Sequence, residues 1–192
     1  MREAVLAATE ATLAEAGVAR LSTKEIARRA SVAESSIFYH FHDRLGLLEA
    51  VVHKHLPLYK DVAVDVYGRA GQGSLRDNLI DLLTSLETFY DRIAPIYAAV
   101  QADGDLRARF ADRGSDGHIG PHRALMPITR YLGKERELGR VRADLDPDSM
   151  ALILVSVAYQ RAVLRSLAGG GTIRVEGIAP VVDALMPSLL PH

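Results

Sequence analysis

The chain lacks cysteine entirely across its 192 residues. That absence excludes disulfides, thiolate nucleophiles and cysteine-ligated metals. A signal peptide is not expected either, because Arg2 and Glu3 lead directly into an amphipathic helix. Apolar runs also stay short of the roughly 18 residues needed to cross a membrane. Together these absences predict a cytoplasmic protein with no membrane partner.

The chain also has no large excess of positive or negative charge, since its formal net charge is −1. The first 55 residues are balanced, with Lys or Arg at 2, 20, 24, 28, 29, 44 and 54 and Asp or Glu at 3, 10, 15, 25, 34, 43 and 49. Phosphate contacts supply much of the affinity of nucleic-acid binders, so this balance is a mild argument against that class. The distribution matters more than the sum, because Lys24, Arg28 and Arg44 lie where a nucleic acid would be contacted.

The spacing of apolar residues is helical almost throughout, and no internal repeat or convincing strand pair is present. The sequence therefore predicts an all-α fold. After a first helix that stops at Gly17, we expect a helix over about 44–67, which Pro57 should kink or divide. Further helices are expected over about 75–93, 95–100, 106–110, 122–137, 147–168 and 176–189.

Residues 21 to 50 predict two short helices joined by a tight turn, with a third helix beginning just after. Ser22 can cap the first helix, and Glu25 can reach back to complete a capping box. The turn is 31–33 and the second helix is about 34–41. This second helix should bury Ile37, Phe38 and Phe41 and direct outward Ser35, Ser36, Tyr39 and His40. Such a helix-turn-helix offers small polar and aromatic groups to a DNA major groove.

A longer motif runs through the same stretch: Gly17, Thr23, Ile26-Ala27, Val32, Phe38-Tyr39-His40-Phe41, Arg44 in place of a usual Lys, and Leu47-Leu48. In this order and spacing the motif resembles the TetR/AcrR family of bacterial transcriptional regulators. The resemblance covers roughly the first 55 residues, and beyond them only length and helical layout match. It implies a helix-turn-helix DNA-binding domain over residues 1–45 and a helical ligand-binding and dimerisation domain over 46–192.

The resemblance also implies which residues contact double-stranded DNA. The outward groups of the second helix would reach bases or backbone, and groups on the flanking helices would bind phosphates. The set is Thr23, Lys24, Ser35, Ser36, Tyr39, His40 and Arg44. Glu34 has two interpretations, as an acceptor from cytosine or as an acid suited to a helix N-terminus, and we favour the second.

Four positions depart from the family pattern. Ser31 replaces a glycine and must adopt a positive φ, a modest cost for a residue with a side chain. Ala33 replaces the usual Ser cap, with a loss of about 1 kcal/mol. Ser35 replaces a common Gly, and Phe38 replaces a Tyr whose hydroxyl reaches a phosphate in the family. The operator preference or affinity should therefore differ from family averages.

The two C-terminal helices carry more apolar surface than one small bundle needs. Both helices can simply be core. Alternatively, their outer faces pack on a twin subunit as a four-helix bundle about a two-fold axis. The resemblance implies this second arrangement, a homodimer through the two C-terminal helices. Its two recognition helices would bind a near-palindromic operator.

The resemblance further implies an unknown small-molecule effector that shifts the dimer between DNA-competent and incompetent states. Candidate pocket residues lie on the middle helices: Phe89, Tyr97, Met126, Arg130, Tyr159 and Gln160. Arg130 or Gln160 would supply the polar contact that a mostly apolar pocket needs. Repression is the default behaviour, and no cofactor is expected.

Two other classes of function remain open. An enzyme would need a catalytic or metal-binding motif, and none is present, although His118 and His122 are four apart. Gly120 and Pro121 make a continuous helix between those histidines unfavourable. The alternative is a helical ligand- or partner-binding protein whose DNA head has lost function.

Overall fold

A computed structural model describes residues 1–16, 21–115, 125–168 and 177–191. All regular structure in these ranges is helical, which confirms the all-α fold. The helices are α1 Arg2–Ala16, α2 Thr23–Ala30, α3 Glu34–Phe41, α4 Arg44–Gly68, α5 Leu75–Ala102, α6 Gly104–Ser115, α7 Leu125–Glu137, α8 Pro147–Ala168 and α9 Ile178–Leu189.

One predicted helix boundary, at Pro95, is wrong, and of the two possibilities expected at Pro57, a kink or a division, the division does not occur. Pro57 does not divide α4, and Pro95 lies inside a continuous α5 rather than starting a new helix. Proline costs a helix one backbone hydrogen bond. At Pro95 the neighbours Ile93, Ala94 and Ile96 are buried, so packing offsets that loss. The predicted piece near 106–110 is part of the longer α6, and the predicted start at 122 lies outside the described residues.

The chain forms two compact units. The N-terminal unit comprises residues 1–56 and 92–120, and the C-terminal unit comprises 57–91 and 121–192. The boundary of compact packing therefore falls within α4 and within α5. The functional boundary between residues 45 and 46 stays a prediction.

In the N-terminal unit, α1 packs on α2 and α2 packs on α3. Buried apolar side chains of α1, α2, α3 and the first part of α4 form the core of this unit: Val5, Leu6, Leu13, Ile26, Ile37, Phe41, Leu45, Leu48 and Val51. Two buried threonines complete the α1 face, because Thr9 and Thr12 each donate to the carbonyl four residues earlier at 2.8 Å. The helix-turn-helix is thus supported on its inner side by α1 and the first part of α4.

In the C-terminal unit, α7 packs on α8 over a core that contains a polar network. Asn78 donates to the Tyr131 hydroxyl at 3.0 Å, and burial raises the pKa of Tyr131. Glu135 is 0% exposed, accepts from the Gly71 N–H at 3.2 Å and lies 3.1 Å from Nε of Arg140. The buried carboxylate therefore ties α7 to the loop between α4 and α5.

One helix in the described ranges, Pro147–Leu167, is long and apolar enough to cross a membrane by length and composition alone. The sequence-based expectation of no such run overlooked it. About a third of the apolar stretch of this helix is buried. Arg161 and Arg165 near its end both pair with Glu87 of α5, and Arg165 also pairs with Asp91. These ion pairs join α8 to α5.

Candidate nucleic-acid interface

The first helix of the helix-turn-helix begins with the predicted cap. Ser22 has extended backbone and accepts from the Glu25 N–H at 3.1 Å. The second half of the predicted capping box is not formed in this way. The Glu25 carboxylate accepts instead from Arg28 at 2.7 Å and from Arg29 at 2.8 Å. Those two guanidinium groups lower the pKa of Glu25 to about 2.

The turn has the strained geometry that its sequence predicts. Ser31 adopts φ 55° and ψ 44°, the left-handed conformation that glycine adopts without cost. The Val32 N–H donates to the Ala27 carbonyl at 3.0 Å and closes the end of α2. Ala33 begins α3 without a side-chain cap. A second positive φ, 67° at His42, lies between α3 and α4 and was not foreseen.

Helix α3 buries one narrow face and exposes the rest. Ile37 and Phe41, four residues apart, are buried. The prediction that Phe38 is buried is wrong, since its side chain is 48% exposed. Phe38 lies about 100° around the helix from Ile37, which places it beyond the contact with α1 and α2. An exposed Phe38 enlarges the aromatic part of the outer surface.

The four predicted contact residues of α3 lie on its outer side. Tyr39 is 80% exposed, Ser35 and His40 are exposed, and Ser36 is half-buried. The rings of Tyr39 and His40 meet edge to face with centroids 5.0 Å apart. Ser35 and Tyr39, at i and i+4, share one line along the helix. The outer surface of α3 therefore combines hydroxyl, imidazole and aromatic groups.

Two predicted phosphate contacts come from α2. Lys24 is exposed, so its ammonium group is accessible. Thr23 is half-buried, and its hydroxyl donates to the Glu34 carboxylate at 2.5 Å. This bond joins the N-termini of α2 and α3. Glu34 is thus occupied within the protein, in keeping with a structural role rather than with cytosine recognition.

The last predicted phosphate contact, Arg44, lies at the first position of α4. Its Nη1 donates to Asp103 at 3.0 Å, and its side chain is 29% exposed. The preceding Asp43 caps α4 by accepting from the Gly46 N–H at 2.7 Å and also accepts from Arg109 at 3.0 Å. Sequence reasoning missed Asp103 and Arg109 because they are about 60 residues away along the chain.

The six predicted pocket residues are divided between the two compact units and differ in burial. Phe89 is buried and Tyr159 half-buried in the C-terminal unit, where Tyr159 meets the buried Tyr90 edge to face at 5.3 Å. Tyr97 belongs to the N-terminal unit and contacts Phe110. The remaining three, Met126, Arg130 and Gln160, are exposed. The assignment of these residues to an effector pocket stays a prediction.

An open apolar groove of about 620 Å³ lies on the outer side of α8 and α9. Its lining is Leu152, Ile153, Ser156, Val157, Gln160, Arg161 and Val181. Leu152 is 55% exposed and Ile153 is 44% exposed. We call this surface the α8–α9 groove. A contiguous exposed apolar surface of this kind is typical of a contact with another macromolecule.

The fold and these surfaces define a class: a helix-turn-helix protein with a separate helical C-terminal unit. Residues 5–51 match the model of the bacterial regulatory proteins, tetR family. The tetracycline repressor protein class D of Escherichia coli is 26% identical over 90 residues, which are 47% of this chain and 41% of that repressor. The chain thus spans about two-fifths of the length of that relative. Residues 5–51 are therefore similar to the DNA-binding domain of the tetR family.

Solved structures of related fold extend the likeness over the whole chain. The SmeT repressor of the Stenotrophomonas maltophilia multidrug efflux pump SmeDEF has a TM-score of 0.67 at 20% identity, covering 100% of this chain and 91% of SmeT. Salmonella enterica GusR has a TM-score of 0.70 at 18% identity, covering 98% of this chain and 94% of GusR. A Saccharomonospora viridis regulator in complex with choline gives 0.68 at 16% identity, covering 100% and 98%. At these identities the likeness establishes the fold.

Proposed function

We propose that this protein is a ligand-responsive transcriptional repressor. A homodimer binds a near-palindromic operator in the cytoplasm and is released by a small-molecule effector. The observation that carries the proposal is the outer surface of α3, where Tyr39 is 80% exposed beside Ser35 and His40. A large aromatic side chain directed to solvent on a short helix has no role in the protein's own core. In a tetR-family head that surface suits a DNA major groove.

The chemistry of α3 determines what each group does in the groove. The hydroxyl groups of Ser35 and Ser36 donate to or accept from base edges and phosphates. The Tyr39 ring contacts a thymine methyl group while its hydroxyl reaches a phosphate. His40 adds a ring nitrogen at the same edge of the helix. These groups favour recognition by shape and short polar contacts over bidentate reading of guanine.

Phosphate binding in this proposal rests on few cations. Arg28 and Arg29 are paired with Glu25, and Arg29 is also paired with Glu15. We assign the backbone contacts to Lys24 on α2, to Arg44 on α4 and to the Thr23 hydroxyl. Arg44 and Thr23 would have to exchange or share their bonds to Asp103 and Glu34 to make these contacts. Each neutralised phosphate adds about 0.9 to the magnitude of the slope of log K against the logarithm of the salt concentration. Because few cations are assigned to phosphates, we expect a shallow slope for a dimer of this size.

The α8–α9 groove supports the homodimer. Leu152, Ile153 and Val157 form an aliphatic surface that gains free energy when a second copy covers it. A two-fold axis through α8 and α9 would generate a four-helix bundle and position two α3 helices for two half-sites. The near-palindromic operator follows from this symmetry.

The effector role is supported by the small molecules seen in relatives of the same fold. One solved structure is a SmeT–triclosan complex, and the Saccharomonospora viridis regulator is in complex with choline. In this chain the effector would bind the C-terminal unit near the buried Phe89 and Tyr90 and shift the population of DNA-competent dimers. A catalytic role forms no part of the proposal.

Selection of bound duplexes from a random pool tests the proposal. Enrichment of a near-palindromic sequence by the purified protein is the expected result. A thermal-shift screen of small molecules against the same sample would then identify the effector class. A folded dimer that enriches no sequence would contradict the proposal. It would favour the alternative of a ligand- or partner-binding protein whose head no longer binds DNA.

A further inference from the structure

The ion pair between Arg44 and Asp103 occupies a side chain that the proposed function assigns to DNA. Arg44 Nη1 donates to Asp103 Oδ2 at 3.0 Å, and the two side chains are 29% and 32% exposed. Arg44 Nε is buried and has no hydrogen-bond partner among the described residues. The Asp103 carboxylate therefore holds the guanidinium group that the proposed function assigns to a phosphate.

Asp103 is fixed in place independently of Arg44. Its Oδ1 accepts from the N–H groups of Asp105 at 3.0 Å and Leu106 at 3.1 Å and so caps α6. The Leu106 N–H, followed by the charge of Arg44, lowers the pKa of Asp103. At neutral pH the carboxylate is ionised, with one oxygen committed to the helix cap and the other facing Arg44.

We propose that Asp103 competes with the DNA backbone for Arg44 and thereby limits operator affinity. The inference rests on the proposed function and names a residue that sets its strength. An approaching phosphate must either displace Asp103 from the guanidinium or share it. If it shares the guanidinium, two negative groups lie close together, and their repulsion reduces the gain from the contact.

Other contacts hold α6 in place, so the competing carboxylate can be removed without moving the helix. Arg109 donates to Asp43 at 3.0 Å, Leu106 is buried, and Phe110 meets Tyr97 edge to face. Asparagine is as good a helix N-cap as aspartate, so Asp103→Asn keeps the α6 cap while it removes the charge.

Asp105→Asn is a matched control, since Asp105 is exposed in the first turn of α6 and the substitution changes the charge by the same amount. Affinity for the selected duplex is measured by fluorescence anisotropy over a series of salt concentrations. We expect Asp103→Asn to lower the dissociation constant about fivefold and to increase the magnitude of the slope of log K against log salt concentration by about one. Asp105→Asn should change both quantities little. In an Arg44→Ala background the difference between the two asparagine variants should vanish.

Three outcomes overturn the inference. Equal effects of Asp103→Asn and Asp105→Asn would mean that only the general charge matters. Weaker binding by Asp103→Asn would mean that Asp103 positions Arg44 for DNA. A difference that persists without Arg44 would assign the effect to another group. If the wild-type protein and every variant fail to bind any duplex, the proposed function fails too. Circular dichroism of each variant checks that the fold is intact.

Discussion

Helices α3 and α8 both expose large apolar side chains, but of different chemistry. The eight-residue α3 exposes Phe38 and Tyr39 beside serine and histidine. The 22-residue α8 exposes Leu152, Ile153 and Leu167. Aromatic rings with hydroxyl and imidazole groups can meet bases and phosphates, whereas aliphatic side chains gain only from being covered by other apolar groups. The contrast agrees with the two partners that we propose, DNA for α3 and a second copy of the chain for α8.

The largest effect is expected when charge is placed in the α8–α9 groove. The double substitution Leu152→Glu and Ile153→Glu should convert the dimer to a monomer. Burying two carboxylates without partners costs several kcal/mol, so the dimer dissociation constant should rise at least about 1000-fold. Sedimentation velocity measures the change. Val64→Glu is the control, because Val64 is 73% exposed on α4 and does not line the groove.

A smaller effect is expected at α3. Tyr39→Ala should weaken operator binding about 100-fold, since it removes both the ring contact and the hydroxyl contact, and it should leave the dimer intact. Mobility shift and sedimentation on the same sample separate the two properties. Tyr67→Ala removes another exposed tyrosine, on α4, and should change neither. Unchanged affinity of the Tyr39 variant for the operator would exclude α3 as the recognition helix.

The contribution of the buried Glu135 network to the stability of the C-terminal unit is tested by substituting Glu135. Glu135→Ala leaves the Gly71 N–H without its acceptor and the Arg140 guanidinium without its buried ion-pair partner. The free energy of unfolding should fall by about 2 kcal/mol, measured by urea denaturation. Glu137→Ala, which removes an exposed carboxylate from the same helix, should have little effect. Similar losses from the two variants would show that the buried network contributes no more than a surface ion pair.

The smallest effect concerns acid stability of the head. The pKa of Glu25 is lowered from 4.5 to about 2 by Arg28 and Arg29. A lowered pKa in the folded state means that the stabilisation is present above pH 4.5 and is lost as the pH falls toward 2. In Glu25→Gln that part of the pH dependence should disappear, as measured by thermal unfolding between pH 5 and 2. A variant with the wild-type pH profile would contradict the assignment.

The helix-turn-helix was predictable because its signals are local. The Ser22 cap, the left-handed Ser31 and the uncapped start at Ala33 each depend on a few neighbouring residues, and all three are confirmed. The errors in the same region arise where a side chain has several possible partners. Glu25 pairs with two arginines instead of completing the capping box, and Phe38 lies beyond the reach of the core.

Local sequence patterns were sufficient to predict most of the helices, the helix-turn-helix and the outward position of the four α3 residues, because helical periodicity and capping act over one or two turns. Tertiary structure decided which distant charges meet. Arg44 binds Asp103, and Glu135 is buried against Gly71 and Arg140, since packing brings together groups that no short-range pattern connects. Tertiary packing also decided that the apolar side of α8 remains exposed in one chain, where a second copy can cover it.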